Sequence, residues 1–255
     1  MTLRAMGFCG ADDSVDPKLL QLISKHYPWV EWGVLFRPDL EGTPRYATAG
    51  WVQRLSTVAS ETPMKLAAHL CSSRCQEILS GNWEFVSGLA KLGFARVQVN
   101  ATAANLVVVD PSKIEEIVEG ILKCIREVPT IEWIIQTNEE TKEIWTRLVV
   151  AAPSNMSILF DASCGLGVAM TEFPTPLSNI RCGYAGGISP TNVSAMLARI
   201  SEVCGDQSFW IDMESSLRAI LRDNASGLDK DVFSIDKCFA CIQAGVALLQ
   251  LEELK

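Results

Sequence analysis

The sequence has few groups that could complete a metal site. It contains nine cysteines but only two histidines, whereas a structural zinc site needs about four Cys, His or carboxylate ligands. The closely spaced pairs Cys71/Cys75 and Cys238/Cys241 are therefore not easily completed. We expect these cysteines to be core residues with free thiols, and we expect no metal or other cofactor.

Positive charge is also scarce. The chain has 22 Lys and Arg against 30 Asp and Glu, a net charge of −8. Without a basic stripe, a nucleic acid or an anionic membrane surface is not an expected partner. No apolar run approaches membrane-spanning length, and the N-terminus lacks a signal-peptide pattern. We expect a cytoplasmic protein, a monomer or homodimer, that binds a small molecule.

Short apolar runs typical of β-strands alternate eight times with segments of helical period. The runs are residues 4–9, 31–36, 64–71, 95–100, 132–137, 156–161, 180–184 and 208–213. They are nearly all apolar, as in parallel strands that are covered on both faces. Among the helical segments are 16–26, 111–128, 139–150 and 237–251, several of them with helix-start residues such as Asp110-Pro111.

The order of these elements predicts an α/β protein with a single (β/α)₈ TIM barrel over residues 1–255. No Ser-, Gly- or Pro-rich linker divides the chain. A doubly wound open sheet is the alternative, but no Gly-x-Gly-x-x-Gly turn follows the first strand. The count of eight strands favours the barrel.

Polar residues lie where the predicted strands end, which is where such barrels carry their active sites. They are Cys9, Arg37 or Arg45, His69, Asn100, Gln136, Asp161, Asp212 and Glu214. Burying such groups costs free energy unless each is paired, so the set indicates a site. Structural alternatives stay open: Cys9 as a packed thiol, Asp161 as a loop cap, and His69 as a partner of a backbone carbonyl.

The turn at Gly186-Gly187 ends the seventh strand just before a helix. Without Cβ atoms its N–H groups can approach an anion. Ser215 and Ser216 follow the eighth strand and could donate further hydrogen bonds. The sequence therefore predicts a phosphate site between the last two strands, with a tight turn that binds no ligand as the alternative.

Six segments in order around the barrel carry a resemblance to a known family. They are Phe8-Cys9-Gly10, Gly33-Val34-Leu35-Phe36 with Thr43-Pro44-Arg45-Tyr46, Val97-Gln98-Val99-Asn100, Leu159-Phe160-Asp161 with Gly165 and Gly167, Ala185 to Val193, and Ile211-Asp212 with Lys230, Asp231 and Ile235. In the same order they resemble Ile-Cys-Gly, Gly-Phe-Val-Phe with Ser-x-Arg, Val-Gln-Leu-His, Leu-Leu-Asp-Ala, Ala-Gly-Gly-Leu-x-Pro-x-Asn-Val, and Val-Asp with Lys-Asp-x-x-Lys-Ile. These are motifs of phosphoribosylanthranilate isomerase, the cofactor-free barrel of tryptophan synthesis.

The resemblance implies an Amadori rearrangement, in which a phosphoribosyl-amine aldose becomes a ketose. By this resemblance Cys9 is the base at the sugar C2 carbon, and Asp161 is the acid at the ring oxygen. Arg45 would hold the aromatic carboxylate of the substrate, and Gly186 with Gly187 its phosphate. A thiol needs only a modestly lowered pKa to act as a base near neutrality.

Three positions depart from the family pattern. Gly7 stands where the family has lysine, Asn100 where it has histidine, and Glu214 where it has a small residue. Residues two apart on a strand share a face, so Glu214 should face the same side as Asp212. A carboxylate there would oppose a phosphate unless a cation such as Arg218 or Arg181 intervenes.

These departures leave two alternatives to the isomerase. One is a diverged enzyme on the same barrel with a different, less phosphorylated or metal-assisted substrate, in which Asp161, Asp212, Glu214 and His69 could hold a divalent cation. The other is a non-catalytic binding barrel. In that case the tryptophans Trp29, Trp32 and Trp51 could form a partner surface, although they are also typical core residues.

Overall fold

Eight parallel strands form a closed barrel in chain order, which confirms the predicted (β/α)₈ fold. The computed structural model describes residues 3–161, 172–222 and 227–253, so the motif glycines Gly165 and Gly167 lie outside the described residues. The strands are β1 Leu3–Cys9, β2 Val30–Phe36, β3 Lys65–Leu70, β4 Arg96–Val99, β5 Glu132–Thr137, β6 Met156–Phe160, β7 Arg181–Tyr184 and β8 Phe209–Met213. Pairing of β1 with both β2 and β8 closes the barrel.

Helices in the described ranges cover the outside of the barrel. They are α1 Pro17–His26, α2 Ala49–Glu61, α3 Ser73–Leu79, α4 Glu84–Lys91, α5 Ile114–Glu127, α6 Lys142–Ala151, α7 Val193–Cys204 and α8 Ile235–Glu253. The Asp16 carboxylate caps α1 by accepting from the Lys18 N–H at 2.9 Å. Asp110 caps the 3₁₀ turn Pro111–Lys113, which precedes α5. No helix within these ranges has the length and apolarity needed to cross a bilayer.

A β-hairpin between β8 and α8 departs from the sequence prediction. Its strands are β9 Arg218–Arg222 and β10 Asp229–Phe233, paired antiparallel. Lys230 and Asp231, which resemble a motif at the start of helix eight, therefore lie in β10. The hairpin is anchored by Arg218, whose guanidinium contacts Asp12 at 2.8 Å and Asp231 at 2.9 Å.

The core between strands and helices contains the tryptophans considered above as a partner surface. Trp32 and Trp51 are fully buried, and Trp29 packs against the same cluster. The indole N–H groups of Trp32 and Trp51 donate to Ser24 Oγ at 2.9 Å and to the Val15 carbonyl at 2.8 Å. The prediction of a core role is confirmed for these residues.

The cysteines are also core residues. Eight of the nine lie in the described part of the chain, and all eight are buried with free thiols. They include both closely spaced pairs, Cys71/Cys75 and Cys238/Cys241. Their role as core residues is confirmed.

Inside the barrel, small residues make room for large neighbours on the next strand. A Cβ atom at Gly183 would lie 2.1 Å from the Trp210 ring, and one at Gly7 would lie 2.3 Å from Asp212 Oδ1. A Cβ at Gly33 would lie 2.9 Å from His69 Nε2. The glycines thus allow Trp210, Asp212 and His69 to fill the barrel interior.

A network of ion pairs closes the N-terminal end of the barrel. Glu132 accepts from Arg4 at 2.8 Å, from Arg181 at 3.3 Å and from Arg96 at 3.5 Å. Arg96 also contacts Glu31 at 2.7 Å and lies over the Trp210 ring, 4.3 Å from its centroid. This end of a barrel serves stability, whereas the opposite end carries chemistry.

Candidate active site

A cavity of about 360 Å³ opens at the C-terminal ends of the strands, a volume suited to a small ligand. Most of the sequence-predicted site residues line it. They are Cys9, His69, Asn100, Asp161, Gly186, Gly187, Asp212, Glu214, Ser215 and Ser216. The parallel barrel brings them together because every strand ends at the same rim.

Asp212 lies in the interior wall of this cavity and is 8% exposed. Burial raises its pKa well above the usual range, and the negative charges of Glu31, Glu214 and Asp161 add to the effect, although Arg96 opposes it. The carboxyl therefore holds a proton at a higher pH than an ordinary aspartic acid. A carboxyl that keeps its proton can donate a hydrogen bond to a ligand in the cavity.

Asp161 is oriented by a neighbouring amide. Gln136 donates from Nε2 to Asp161 Oδ2 at 2.7 Å. This bond also fixes the other end of the amide, Gln136 Oε1, which is buried and has no hydrogen-bond partner in the described part of the protein. Both side chains line the cavity.

Cys9 is buried at the end of β1. Burial raises the pKa of its thiol well above the ordinary value, and the charges of Asp212 and Glu214 raise it further. This environment therefore favours the neutral thiol. This direction is opposite to the lowering that a thiolate base needs.

His69 and Asn100 contribute neutral polar groups. Burial, helped by the charge of Arg96, lowers the pKa of His69 to about 3, so its imidazole is uncharged near neutrality. Asn100 Oδ1 accepts from Gln98 Nε2 at 2.7 Å. Asn100 Nδ2 in turn donates to Cys71 Sγ at 3.8 Å.

Glu214 faces the same cavity as Asp212, and its carboxylate is held by Arg45. Arg45 Nη1 contacts Glu214 Oε1 at 3.0 Å, and Arg45 Nε lies 3.8 Å from Asp231 Oδ2. Burial raises the pKa of Glu214, while Arg45 and Arg218 partly offset the effect. Arg45 thus pairs with carboxylates of the protein itself, at the rim.

Arg37, predicted to bind substrate, is not brought to the cavity. It pairs with Asp39 at 3.0 Å and lies over the Tyr46 ring, 5.9 Å from its centroid. It lines instead a second, largely apolar cavity of about 320 Å³. The two arginines considered as counterions for a phosphate are also engaged, Arg218 with Asp12 and Asp231 and Arg181 at the opposite end of the barrel.

The glycine turn has the backbone expected of it, with φ values of 96° at Gly186 and 63° at Gly187. Several of the polar groups around it bond one another. The Ser189 N–H donates to Asn192 Oδ1 at 2.8 Å, and Asn192 Nδ2 donates to the Gly187 carbonyl at 2.9 Å. Ser216 Oγ donates to the Ile188 carbonyl at 2.8 Å. The Ser189 N–H, the Asn192 amide and the Ser216 hydroxyl are therefore already engaged, whereas these bonds do not involve the Gly186 and Gly187 N–H groups.

Sequence reasoning missed Gln98, Asn105 and Ser189 as cavity residues. Gln98 could have been found, because it lies two residues before Asn100 on β4 and must share its face. Asn105 follows a loop whose path no local pattern fixes. Among the described residues, no group of three or more His, Cys, Asp or Glu side chains is arranged to hold a metal ion, and this includes the set of Asp161, Asp212, Glu214 and His69.

Comparison with known proteins shows similarity at the level of fold. No family model matches the chain. No curated protein matches it either.

Solved structures similar to the chain are TIM barrels. D-psicose 3-epimerase with D-tagatose from Clostridium cellulolyticum H10 is 13% identical with a TM-score of 0.52, over 95% of this chain and 96% of that one. A truncated 3-deoxy-D-arabino-heptulosonate 7-phosphate synthase from Thermotoga maritima is 10% identical with a TM-score of 0.55, over 99% and 87%. A D-psicose 3-epimerase in the presence of D-fructose is 14% identical with a TM-score of 0.51, over 93% and 92%. At this identity the likeness concerns the barrel alone.

Proposed function

We propose that the protein is an isomerase of the aldose–ketose type that rearranges a small glycosylamine, with Cys9 as base and Asp161 as acid. The observation that carries the proposal is that Cys9, Asp161 and Asp212, three groups able to transfer protons, line one cavity. Phosphoribosylanthranilate is the substrate that the sequence resemblance implies.

The reaction needs two proton transfers. Asp161 protonates the ring oxygen, the bond from that oxygen to C1 breaks, and the amine nitrogen forms a C1–N double bond as an iminium. Cys9 then takes the proton from C2, and the electron pair of that bond forms a C1–C2 double bond while the iminium is neutralised. Tautomerisation of the resulting enaminol gives the ketose. The neutral carboxyl of Asp212 donates a hydrogen bond to a substrate hydroxyl.

The charge of the cavity is compatible with this sequence of steps. Burial and the carboxyl groups of Asp212 and Glu214 raise the pKa of Cys9. An iminium ion beside the thiol has the opposite effect and favours the thiolate, because an opposite charge stabilises the charged form. The carboxylates of Glu214 and of Asp161, which has given its proton to the ring oxygen, stabilise the iminium. The Cys9 thiolate, which acts as the base, then forms only when the cationic intermediate is present.

Two of the similar structures are those of psicose epimerases. Their structures were solved with D-tagatose and in the presence of D-fructose, so barrels of this architecture can hold a free hexose. The likeness of fold does not carry over any of their residues or their reaction.

The test is turnover of glycosylamines in D₂O, followed by NMR. Phosphoribosylanthranilate and ribosylanthranilate without the phosphate are supplied to the wild type, and ketose formation with deuterium at C1 is measured. We expect Cys9→Ser and Asp161→Asn each to reduce the rate by about a hundredfold or more. Cys124→Ser is the matched control, because this buried thiol bonds the Ile78 carbonyl far from the cavity. Ketose formation from neither compound, or full rates in both site variants, would contradict the proposal.

A further inference from the structure

The described residues that line the active-site cavity offer no positively charged side chain to a substrate. Neither lysine nor arginine lines it among the described residues, whereas Asp161, Asp212 and Glu214 all do. The internal stretches that the structure does not describe, 162–171 and 223–226, contain no Lys or Arg in the sequence. A bound phosphate therefore has no resident cation in the cavity wall to neutralise it.

The nearest arginines are already paired. Arg45 is held by Glu214 at 3.0 Å, and Arg218, with a side chain only 4% exposed, is held by Asp12 and Asp231. Releasing either arginine toward a phosphate would leave a partly or fully buried carboxylate without its partner, which is costly.

A second, independent observation indicates what the cavity does bind. Gln136 is 2% exposed, and its Oε1 atom has no partner in the part of the chain that the structure describes. The amide cannot turn to exchange its ends without losing the 2.7 Å bond from Nε2 to Asp161. An unpaired buried acceptor costs free energy, which a hydroxyl or ammonium group of a ligand would recover.

We infer that the substrate is an unphosphorylated glycosylamine, neutral or cationic, whose hydroxyl and amine donors meet Gln136 and the carboxyl groups. This inference rests on the proposed function for the reaction type. It narrows the substrate class by removing the phosphate that the sequence resemblance implies.

The experiment compares two stable probes by calorimetry at pH 7. The first is 1-amino-1-deoxy-D-fructose, a ketose amine of the kind the reaction makes, and the second is its 6-phosphate. We expect the wild type to bind the unphosphorylated amine at least about tenfold more tightly, because each carboxylate near the phosphate opposes it. Inorganic phosphate should produce no heat of binding.

Two variants separate charge from hydrogen bonding. Glu214→Gln removes one carboxylate and frees Arg45, so the preference for the unphosphorylated amine should fall about tenfold. Gln136→Met removes the unpaired acceptor, so both probes should bind about tenfold more weakly, with the preference unchanged. Glu202→Gln, at an exposed position of α7, is the matched control. It should change neither the affinity for the two probes nor the preference between them.

Three results would overturn the inference: tighter binding of the 6-phosphate by the wild type, an unchanged preference in Glu214→Gln, or no binding of the unphosphorylated amine. None of them involves turnover. If the unphosphorylated amine binds more tightly than its 6-phosphate while no glycosylamine is converted, the proposed reaction is wrong and the inferred substrate class is supported. If phosphoribosylanthranilate is converted and the 6-phosphate binds more tightly than the unphosphorylated amine, the proposed reaction is supported and the inferred substrate class is wrong.

Discussion

Asp212 occupies the space that a side chain at position 7 would need. The two residues are directly opposite each other in the pairing of β1 with β8, and a Cβ atom at Gly7 would lie 2.3 Å from Asp212 Oδ1. The family that the sequence resembles has lysine at this position. A lysine here would displace the carboxyl, so the glycine and the buried acid depend on each other.

Gly7→Ala should destabilise the protein by about 1–3 kcal/mol, because an added methyl group in a packed interior forces its neighbours to move. Replacing Asp212 by alanine in the same chain should restore most of that loss, since the contacting oxygen is gone. Urea denaturation of the two single variants and the double variant measures the coupling.

Gly88→Ala is the control for this cycle, because nothing lies within 4 Å of a Cβ placed there and alanine favours a helix over glycine. It should be neutral or slightly stabilising. Additive effects of Gly7→Ala and Asp212→Ala would show that the two residues do not compete for space.

Asp212→Asn should stabilise the protein at pH 7, although it should impair function. Burial raises the folded-state pKa of Asp212 above its usual value, so its contribution to stability is full only below about pH 4 and is lost as the pH rises. The advantage of asparagine should therefore grow with pH above about 4, by at most about 1.4 kcal/mol per pH unit.

The free energies of unfolding of wild type and Asp212→Asn, measured by denaturation between pH 4 and 8, show how their difference changes with pH. Asp206→Asn is the control, because Asp206 is exposed in the loop after α7 and does not line the cavity. A constant difference between wild type and Asp212→Asn would contradict the buried-acid assignment.

Glu132→Gln should destabilise the barrel by about 2 kcal/mol at pH 7, because the charged hydrogen bonds to Arg4 and Arg181 are weakened and Arg96 keeps only Glu31 as an ionic partner. Burial alone would raise the pKa of Glu132, but Arg4, Arg96 and Ser157 outweigh it and lower the pKa to about 2. The stabilisation is thus complete above about pH 4.5 and is lost as the pH falls toward 2.

The free energy of unfolding, measured at pH 7 and again near pH 3, should show the gap between wild type and Glu132→Gln narrowing in acid. Glu139→Gln serves as the comparison, since Glu139 makes only an exposed pair with Lys142, worth little. An equal difference in the free energy of unfolding at both pH values would mean that the charge of the Glu132 carboxylate does not stabilise the N-terminal end of the barrel.

The strand ends could be predicted from the sequence because their positions follow from topology. Once eight apolar runs are assigned to parallel strands, residues such as Cys9, Asp161 and Asp212 must meet at one rim. The same reasoning places Glu214 with Asp212. None of this requires the conformation of a loop.

Loop residues could not be placed in this way. Arg37 is drawn out of the cavity by Asp39 and Tyr46, which lie in its own loop, and a pairing of that kind leaves no periodic signal. The hairpin that holds Asp231 depends on the contact between Arg218 and Asp12, more than 200 residues apart in sequence. Long-range ion pairs of this kind have no local signature.

The reactivity of Cys9 should report the charge of the cavity directly. Thiolates are the species that react with methyl methanethiosulfonate, so the rate follows the pKa of the thiol. The Cys9 pKa is raised by burial and by the carboxyl groups of Asp212 and Glu214. Removing the negative charge of Glu214 should lower it.

At pH 8, Glu214→Gln should therefore accelerate the modification of Cys9 by about three- to tenfold, measured by mass spectrometry of the peptide that contains it. Cys75 is the internal control, because this buried thiol does not line the cavity and should react at the wild-type rate. Equal acceleration of both thiols would indicate a loosened fold. An unchanged rate at Cys9 would show that Glu214 does not raise the pKa of this thiol. The negative charge of the cavity would then not explain why Cys9 stays neutral until a cationic intermediate forms.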